Sequence, residues 1–146
     1  MAFELMNAHS FSINTVPGTT PGTMAAIAKG ITNVEPSNNE ELSQDKYLDG
    51  GGFGETDVIG AQTVLAFTGH RYYGDAAQDF IMGLMHKLGD DRRTNFEWTE
   101  PNGGKFAGNC TIANISGPSG GAGAKGEISF EVHFNGEPTY TAPPAT

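Results

Sequence analysis

The segment 125–136 alternates strictly between apolar and polar side chains, and this pattern constrains the fold more than any other feature of the sequence. The apolar residues fall on one side of an extended strand: Ile128, Phe130, Val132 and Phe134. The polar residues fall on the other side: Ser129, Glu131 and His133. Because successive side chains of a strand point to opposite faces, the pattern predicts a strand with one buried and one solvated face.

Shorter runs of the same kind predict further strands upstream. They cover residues 8–15, 26–34, 62–69, 94–99 and 105–115, with a bend expected at Gly30 in the second run. The turn residues Asn102-Gly103 between the last two runs are typical of a β-hairpin. The sequence therefore predicts a mainly β fold.

One helix is expected between the predicted strands. It begins near Asp75, a favourable N-cap residue, and Gln78 three residues later is placed to complete a capping box. Gly89 is a typical C-terminal stop. The apolar residues of this segment form a single stripe at helical spacing: Ala76, Ala77, Phe80, Ile81, Leu84, Met85 and Leu88.

The length of 146 residues predicts a single domain over 1–146. Residues 1–23 form an N-terminal segment, and residues 139–146 read as a loose C-terminal tail. The polar stretch 35–57 reads as a long loop, a feature that in a compact domain is usually functional or mobile. We interpret it as an interaction arm, with plain disorder as the alternative.

Charge and composition exclude several classes of protein. Eight Lys and Arg against 17 Asp and Glu give a net charge of −9, which argues against conventional DNA binding. No apolar run approaches the roughly 20 residues that cross a bilayer, and residues 1–7 lack the pattern of a secretion signal. We expect a soluble protein made in a cytoplasm, with the single Cys110 as a buried structural thiol.

No residue pattern indicates a catalytic, cofactor or metal site. The three glycines of 121–126 precede a predicted strand, whereas a dinucleotide site needs a following helix. The four histidines are far apart in sequence and lack metal-ligand spacing. Asp75 and Asp79 are one helical turn apart, which favours capping and dipole compensation over acid–base chemistry, although a small hydrolase using them with His70 stays an alternative.

Several segments together resemble the major tail tube proteins of long-tailed phages that infect Gram-positive bacteria. They are residues 27–36 (IAKGITNVEP), 47–54 (YLDGGGFG) with the chain up to Gly60, 67–71 (FTGHR) leading into the helix, 111–115 (TIANI) and 123–130 (GAKGEISF). The likeness extends over residues 26–138 as a pattern across the domain.

The resemblance implies a β-sandwich or barrel-like tail tube fold with one packed helix, assembling into rings with a β-lined lumen. Members of that family form hexameric rings that stack into a tube around a tape measure protein, between tail terminator and distal tail proteins. DNA passes through the lumen without specific binding. The implied location is the virion tail, with the protein made in the cytoplasm of the bacterial host. The family implies no cofactor and no membrane partner.

Two groups of residues follow as expectations from this resemblance. The arm that contacts a neighbouring subunit or ring would include Tyr47, Leu48, Asp49 and Phe53. Acidic residues facing the lumen, which would repel DNA phosphates, would include Glu127 and Glu131. The tube of a tail-like bacteriocin or a secretion system has the same physics, and a β-sandwich binding or capsid decoration module is the alternative from another class.

Overall fold

The computed structural model describes residues 3–19 and 22–144, which form ten β-strands and one α-helix. The strands are β1 (Ser10–Asn14), β2 (Met24–Ala26), β3 (Ile31–Ser37), β4 (Glu41–Lys46), β5 (Gly54–Gly60), β6 (Val64–His70), β7 (Arg93–Thr99), β8 (Lys105–Ser119), β9 (Glu127–Phe134) and β10 (Thr139–Thr141). The helix α1 is Ala76–Gly83, and short 3₁₀ turns lie at Met6–Ala8, Leu48–Gly50 and Gly89–Arg92. No described helix has the length and apolar character needed to span a membrane.

Eight strands form one antiparallel sheet in the order β2-β1-β7-β8-β9-β6-β3, with β10 paired to β8. The sheet curls back on itself. Phe11 of β1 meets Phe67 of β6 edge to face at 5.3 Å, although three strands separate β1 from β6 in the sheet order. The predicted mainly β, sandwich-like architecture with one helix is confirmed.

The alternating pattern of β9 is fulfilled along its whole length. Its four apolar side chains are buried, and the polar ones between them are partly exposed. Facing strands complete an aromatic core in which Phe67 stacks on Phe130 at 5.0 Å and Phe96 meets Phe134 edge to face at 5.6 Å. Aromatic pairs of this geometry add to the stabilisation from buried area.

The helix begins where expected but ends earlier. The Asp75 carboxylate accepts a hydrogen bond from the Gln78 backbone N–H at 3.1 Å, and the helix stops at Gly83 instead of Gly89. The Arg92 guanidinium donates to the Met85 carbonyl at 2.8 Å and the Lys87 carbonyl at 3.0 Å. These hydrogen bonds satisfy the two carbonyls without a further helical turn. The chain therefore leaves the helical path, and the end of the predicted apolar stripe turns toward solvent.

Three segment predictions need correction. The single strand expected over 26–34 is two strands on opposite edges of the sheet, because Gly30 turns the chain with a φ of +78°. The loop expected over 35–57 is the end of β3 followed by the β4–β5 hairpin, whose two faces are both solvated and therefore carry no apolar alternation. The tail expected to be loose over 139–146 contributes β10, and its residues 145 and 146 lie outside the described part.

The N-terminal segment 1–23 is partly integrated in the sheet. Its strand β1 pairs with both β2 and β7, and it places Phe11 and Ile13 in the core. The strand expected over 8–15 is therefore confirmed, while residues 1, 2, 20 and 21 are outside the described ranges.

Cys110 is completely buried on β8, as expected, and burial raises the pKa of its thiol to about 12. We predict that the native protein reacts very slowly with a thiol reagent at pH 8, because the thiolate fraction falls about a thousandfold relative to an ordinary cysteine. Labelling kinetics with and without denaturant measure this. Rapid labelling of the native subunit, at the rate of the unfolded chain, would contradict the described burial.

Candidate assembly surfaces

The most unusual surface is the hairpin of residues 40–60, called here the arm. Its strands β4 and β5 pair with each other and, among the described strands, with no other. Nearly every residue of both strands is exposed on both faces. An isolated two-stranded hairpin is at best marginally stable in water, so the arm gains little stability from its own two strands.

The base of the arm is held in place by hydrogen bonds between its two ends. The Gln62 N–H donates to the Asn38 carbonyl at 3.0 Å, and the Thr63 hydroxyl donates to the Asn38 side-chain oxygen at 2.9 Å. The Asn39 amide donates to the Gln62 carbonyl at 3.2 Å. These bonds hold the arm to the C-terminal end of β3 and the N-terminal end of β6, so the sheet sets the direction in which the arm projects.

The four residues expected in an interaction arm all lie at the tip of this hairpin. Tyr47 directly precedes the 3₁₀ turn after β4, Leu48 and Asp49 lie in that turn, and Phe53 precedes β5. Leu48 is fully exposed and the exposed fraction of Phe53 is 81%. The structure therefore brings these residues together on a projecting apolar tip.

Sequence reasoning missed three further apolar residues on the body of the arm. Leu42 on β4 lies opposite Val58 on β5, and Ile59 follows Val58 on the other face of the strand. All three side chains are exposed. The sequence does contain a signal for them, the apolar pair Leu42 and Val58 on facing strands. That pair can be recognised only once residues 41–60 are treated as a hairpin.

The outer face of the sheet holds the two carboxylates expected at a lumen. Glu127 and Glu131 share the face of β9 that points away from the core. Glu35 of β3 and Glu131 both lie in register with Ala66 of β6, on either side of it, so a third carboxylate shares this face. Glu127 is exposed, whereas Glu131 is partly covered.

Glu131 is held by two polar neighbours. The Asn114 amide donates to its carboxylate at 2.8 Å, and the His133 ring nitrogen lies 2.9 Å from the same oxygen. These bonds, that of Asn114 foremost, lower the pKa of the Glu131 carboxyl below its usual value. Asn114 adopts a φ of +52° at an irregularity in the β8–β9 register, which aims its side chain at Glu131.

This arrangement makes a pH-dependent prediction for Glu131→Gln. A lowered folded-state pKa contributes stability above the ordinary pKa near 4.5 and loses it as the pH falls through the folded value. We expect the variant to be less stable than the wild type at pH 7 and to approach it at acidic pH. Urea unfolding of both proteins across this range measures the difference, and a constant gap at every pH would contradict the carboxylate's role.

The two carboxylates of the hydrolase alternative have structural partners. Asp75 caps the helix, and the Asp79 carboxylate pairs with the Arg71 guanidinium at 2.9 Å. The His70 carbonyl accepts a hydrogen bond from the Gln78 side chain at 2.9 Å. Among the residues that the structure describes, no group of three or more His, Cys, Asp or Glu side chains is placed to hold a metal ion.

Gln78 has a different role from the capping box expected of it. Its side chain is 2% exposed and donates to the carbonyls of Lys29 and His70, both at 2.9 Å. Its oxygen accepts from the Tyr72 N–H at 2.9 Å and from the Arg71 guanidinium at 3.2 Å. Gln78 thereby fastens the start of the helix to the adjoining ends of β3 and β6, a tertiary role that no local pattern indicates.

The fold is shared with chains of solved tail and tube-cap structures. A chain from the tail of an empty GTA particle with C6 symmetry is 17% identical, with a TM-score of 0.76, over 96% of this chain and 100% of that one. A chain from the virion of a native gene transfer agent particle is 16% identical, with a TM-score of 0.74 over the same shares.

A third solved structure, the anti-feeding prophage cap that terminates its tube, is 10% identical with a TM-score of 0.57, over 97% of this chain and 94% of that chain. No protein-family model and no curated protein sequence matches the chain. At these identities the comparisons define the fold, a tail tube-like β fold that spans nearly the whole chain.

Proposed function

We propose that this protein is the tube subunit of a long-tailed phage of the kind that infects Gram-positive bacteria. Six copies close into a ring, and the rings stack into the hollow tail tube of the virion around a tape measure protein, between tail terminator and distal tail proteins. The observation that carries the proposal is the arm with its exposed apolar tip, on a fold shared over 96% of the chain with a C6-symmetric tail.

Exposed apolar surface supports assembly as the role of the arm. Leu48 and Phe53 at the tip, together with Val58 and Ile59 on β5, expose four large apolar side chains within one short stretch of the chain. Exposed patches of this kind on soluble proteins mark interaction sites. We assign the arm to contacts with a neighbouring subunit or ring, with Tyr47 and Asp49 beside the two apolar tip residues.

Ring closure needs a second surface, and the sheet edges supply it. The strands β2 and β3 lie at the two ends of the sheet order, each with a ladder partner on one side. Such edges present backbone donors and acceptors to another chain. A head-to-tail contact between edges of neighbouring copies gives a ring where the rotation closes.

We assign the outer face of β9 to the lumen. Glu127 and Glu131, with Glu35 nearby, give this face a negative charge that repels DNA phosphates, so that DNA slides through without binding. The sheet would then form the wall of the channel, and the core and helix would lie outside it.

Charge reversal of the lumen tests this assignment. We expect Glu127→Lys to slow DNA delivery by assembled particles, because phosphates would adhere to a cationic wall. Glu127 makes no side-chain hydrogen bond among the described residues, so the change leaves the fold intact. The rate of DNA release from triggered particles is the measurement, with Glu127→Gln as the control for lost negative charge. An unchanged rate of DNA release from particles carrying Glu127→Lys would contradict the assignment of Glu127 to the lumen.

The function itself is tested by negative-stain electron microscopy of the purified protein at high concentration, with light scattering for mass. Hollow rings or tubes with a central channel and sixfold symmetry are the expected result. A subunit that stays monomeric even with a candidate tape measure protein would overturn the proposal and favour the binding or decoration module.

The likeness to a tube-terminating cap supports a second candidate, a ring that ends the tube of a phage or of a tail-like particle. A cap subunit forms closed rings that do not propagate, because one of its faces accepts no further ring. The same micrographs separate the candidates: single rings at every concentration favour the cap, and tubes that lengthen with concentration favour the tube subunit. Neighbouring genes distinguish a phage from a bacteriocin or a secretion system.

A further inference from the structure

The two ends of the curled sheet differ in what they carry. At one end β3 and β7 begin, β1 and β6 end, and α1 covers the core; we call this the helix end. At the opposite end β3 finishes and β6 starts, and the arm of residues 40–60 projects from between them. The arm and the helix thus lie at opposite ends of the subunit.

Cations are concentrated at the helix end. Six of the eight Lys and Arg residues of the chain lie there: Lys29, Arg71, Lys87, Arg92, Arg93 and Lys125. The Arg71 N–H donates to the Gly126 carbonyl at 2.8 Å, beside Lys125. The Arg71 guanidinium pairs with Asp79 of α1, and the chain continues from this helix directly to Lys87, Arg92 and Arg93. Five carboxylates share the region, those of Asp75, Asp79, Asp90, Asp91 and Glu127, so its net charge is +1 in a chain of −9.

The arm has the opposite charge. Between residues 40 and 60 there are six carboxylates and one lysine, a net charge of −5, more than half that of the whole chain. The carboxylates are Glu40, Glu41, Asp45, Asp49, Glu55 and Asp57. Every one of them is exposed, and within the described residues none takes part in an ion pair.

Part of the cationic charge at the helix end is available for a partner. Arg71 pairs with Asp79, and Arg92 donates to backbone carbonyls, so both are committed within the subunit. Lys29, Lys87 and Lys125 are exposed and form no ion pair with any described residue. Beside Lys87, the side chain of Leu88 is 83% exposed and borders a groove of about 390 Å³.

We propose that the acidic arm of one copy docks on the helix end of a second copy, and that this charge pairing sets the head-to-tail direction in which copies stack. The carboxylates of β5 meet Lys87 and Lys125, and the apolar tip with Leu48 packs against Leu88. The inference rests on the proposed tube function, because it names the surface that receives the arm. Two acidic arms repel each other, so arm-to-arm contacts are disfavoured, whereas the helix end with its unpaired lysines accepts the arm.

Salt dependence is the first consequence. Raising the ionic strength from about 0.1 M to about 1 M shortens the Debye length from about 10 Å to about 3 Å and weakens exposed charge pairs. The concentration needed for half-assembly of the wild type should therefore rise with salt. An assembly that strengthens with salt throughout this range would indicate apolar contacts alone and would contradict the charge pairing.

Charge exchange is the decisive experiment. The arm variant Glu55→Lys/Asp57→Lys and the helix-end variant Lys87→Glu/Lys125→Glu change side chains without hydrogen-bond partners in the described chain. Each variant alone places like charges across the contact, and its half-assembly concentration should rise about tenfold or more. The fourfold variant keeps the net charge of −9, reverses both surfaces, and should recover assembly.

Mixing the two double variants tests whether the contact forms between two copies of the chain. The cationic arm of the first fits the anionic helix end of the second, so the mixture should assemble at a concentration where neither variant does alone. Double variants that assemble like the wild type, or a fourfold variant that stays as impaired as they are, would overturn the inference while leaving the tube function standing.

Failure of the proposed function is recognised separately. If the wild type forms no rings or tubes, sedimentation velocity on the mixed double variants still reports whether arm and helix end associate. Mixed variants that sediment as heavier species than either alone support the pairing, and a mixture that sediments as the average of its components contradicts it.

Discussion

Phe67→Ala is expected to lower the free energy of unfolding of the subunit by about 3 to 5 kcal/mol, the usual cost of truncating a buried phenylalanine. Phe67 is 1% exposed and lies at the centre of the core. Its ring stacks on Phe130 at 5.0 Å and meets Phe11 and Phe96 edge to face at 5.3 and 6.1 Å. It therefore joins the two sides of the curled sheet, and its removal leaves a cavity that neighbouring strands fill only in part.

Phe53→Ala provides the matched control, since the same atoms are removed from the tip of the arm. Its side chain is 81% exposed, so the effect on unfolding should stay within about 0.5 kcal/mol. Urea unfolding of both variants at a concentration where the subunit is unassembled measures the difference. Equal losses from the two changes would show that Phe67 does not hold the curl of the sheet.

Strand positions with one buried face could be predicted from the sequence because their period-two pattern is a local signal. β9 shows this most clearly. The start of the helix at Asp75 could be predicted equally well, because capping is a local interaction. The curl of the sheet is harder to predict from the sequence, since the contact of Phe11 with Phe67 joins residues far apart in sequence.

The remaining features depend on contacts that no local pattern reports. Arg92 ends the helix early by binding carbonyls from a later turn of the chain. The sequence predicts that Gln78 is a helix residue and a capping partner. In the structure its side chain also donates hydrogen bonds to the Lys29 and His70 carbonyls. The arm was mistaken for a loop because a hairpin solvated on both faces has no apolar alternation to detect.

The four residues expected in the arm lie together at the tip of the hairpin, and their contact with a partner stays a prediction. Leu48 and Phe53 are large apolar residues in a glycine-rich polar stretch, where neither packs against the fold. Such residues are costly in water, which is why we propose that a partner covers them. The same reasoning could not reach the helix end, because its cations are spread over five separate stretches of sequence and gather only in the folded chain.

Leu48→Ser/Phe53→Ser is expected to abolish tube formation at concentrations where the wild type assembles, while the subunit remains folded. Burying one leucine or phenylalanine contributes about 1.5 to 3 kcal/mol, so the two changes weaken each contact by about 3 to 6 kcal/mol. The half-assembly concentration should rise about a hundredfold or more. Light scattering against concentration, with electron microscopy of the endpoints, measures it.

Phe3→Ser/Leu5→Ser removes the same two residue types from another exposed segment and is the matched control. Because this segment lies outside the arm, we expect the control to assemble like the wild type. The unfolding midpoint of each unassembled subunit should stay close to that of the wild type, since none of the four side chains lies in the core. If the arm variant assembles normally, or if both variants fail equally, the arm is not the element that joins one copy to the next.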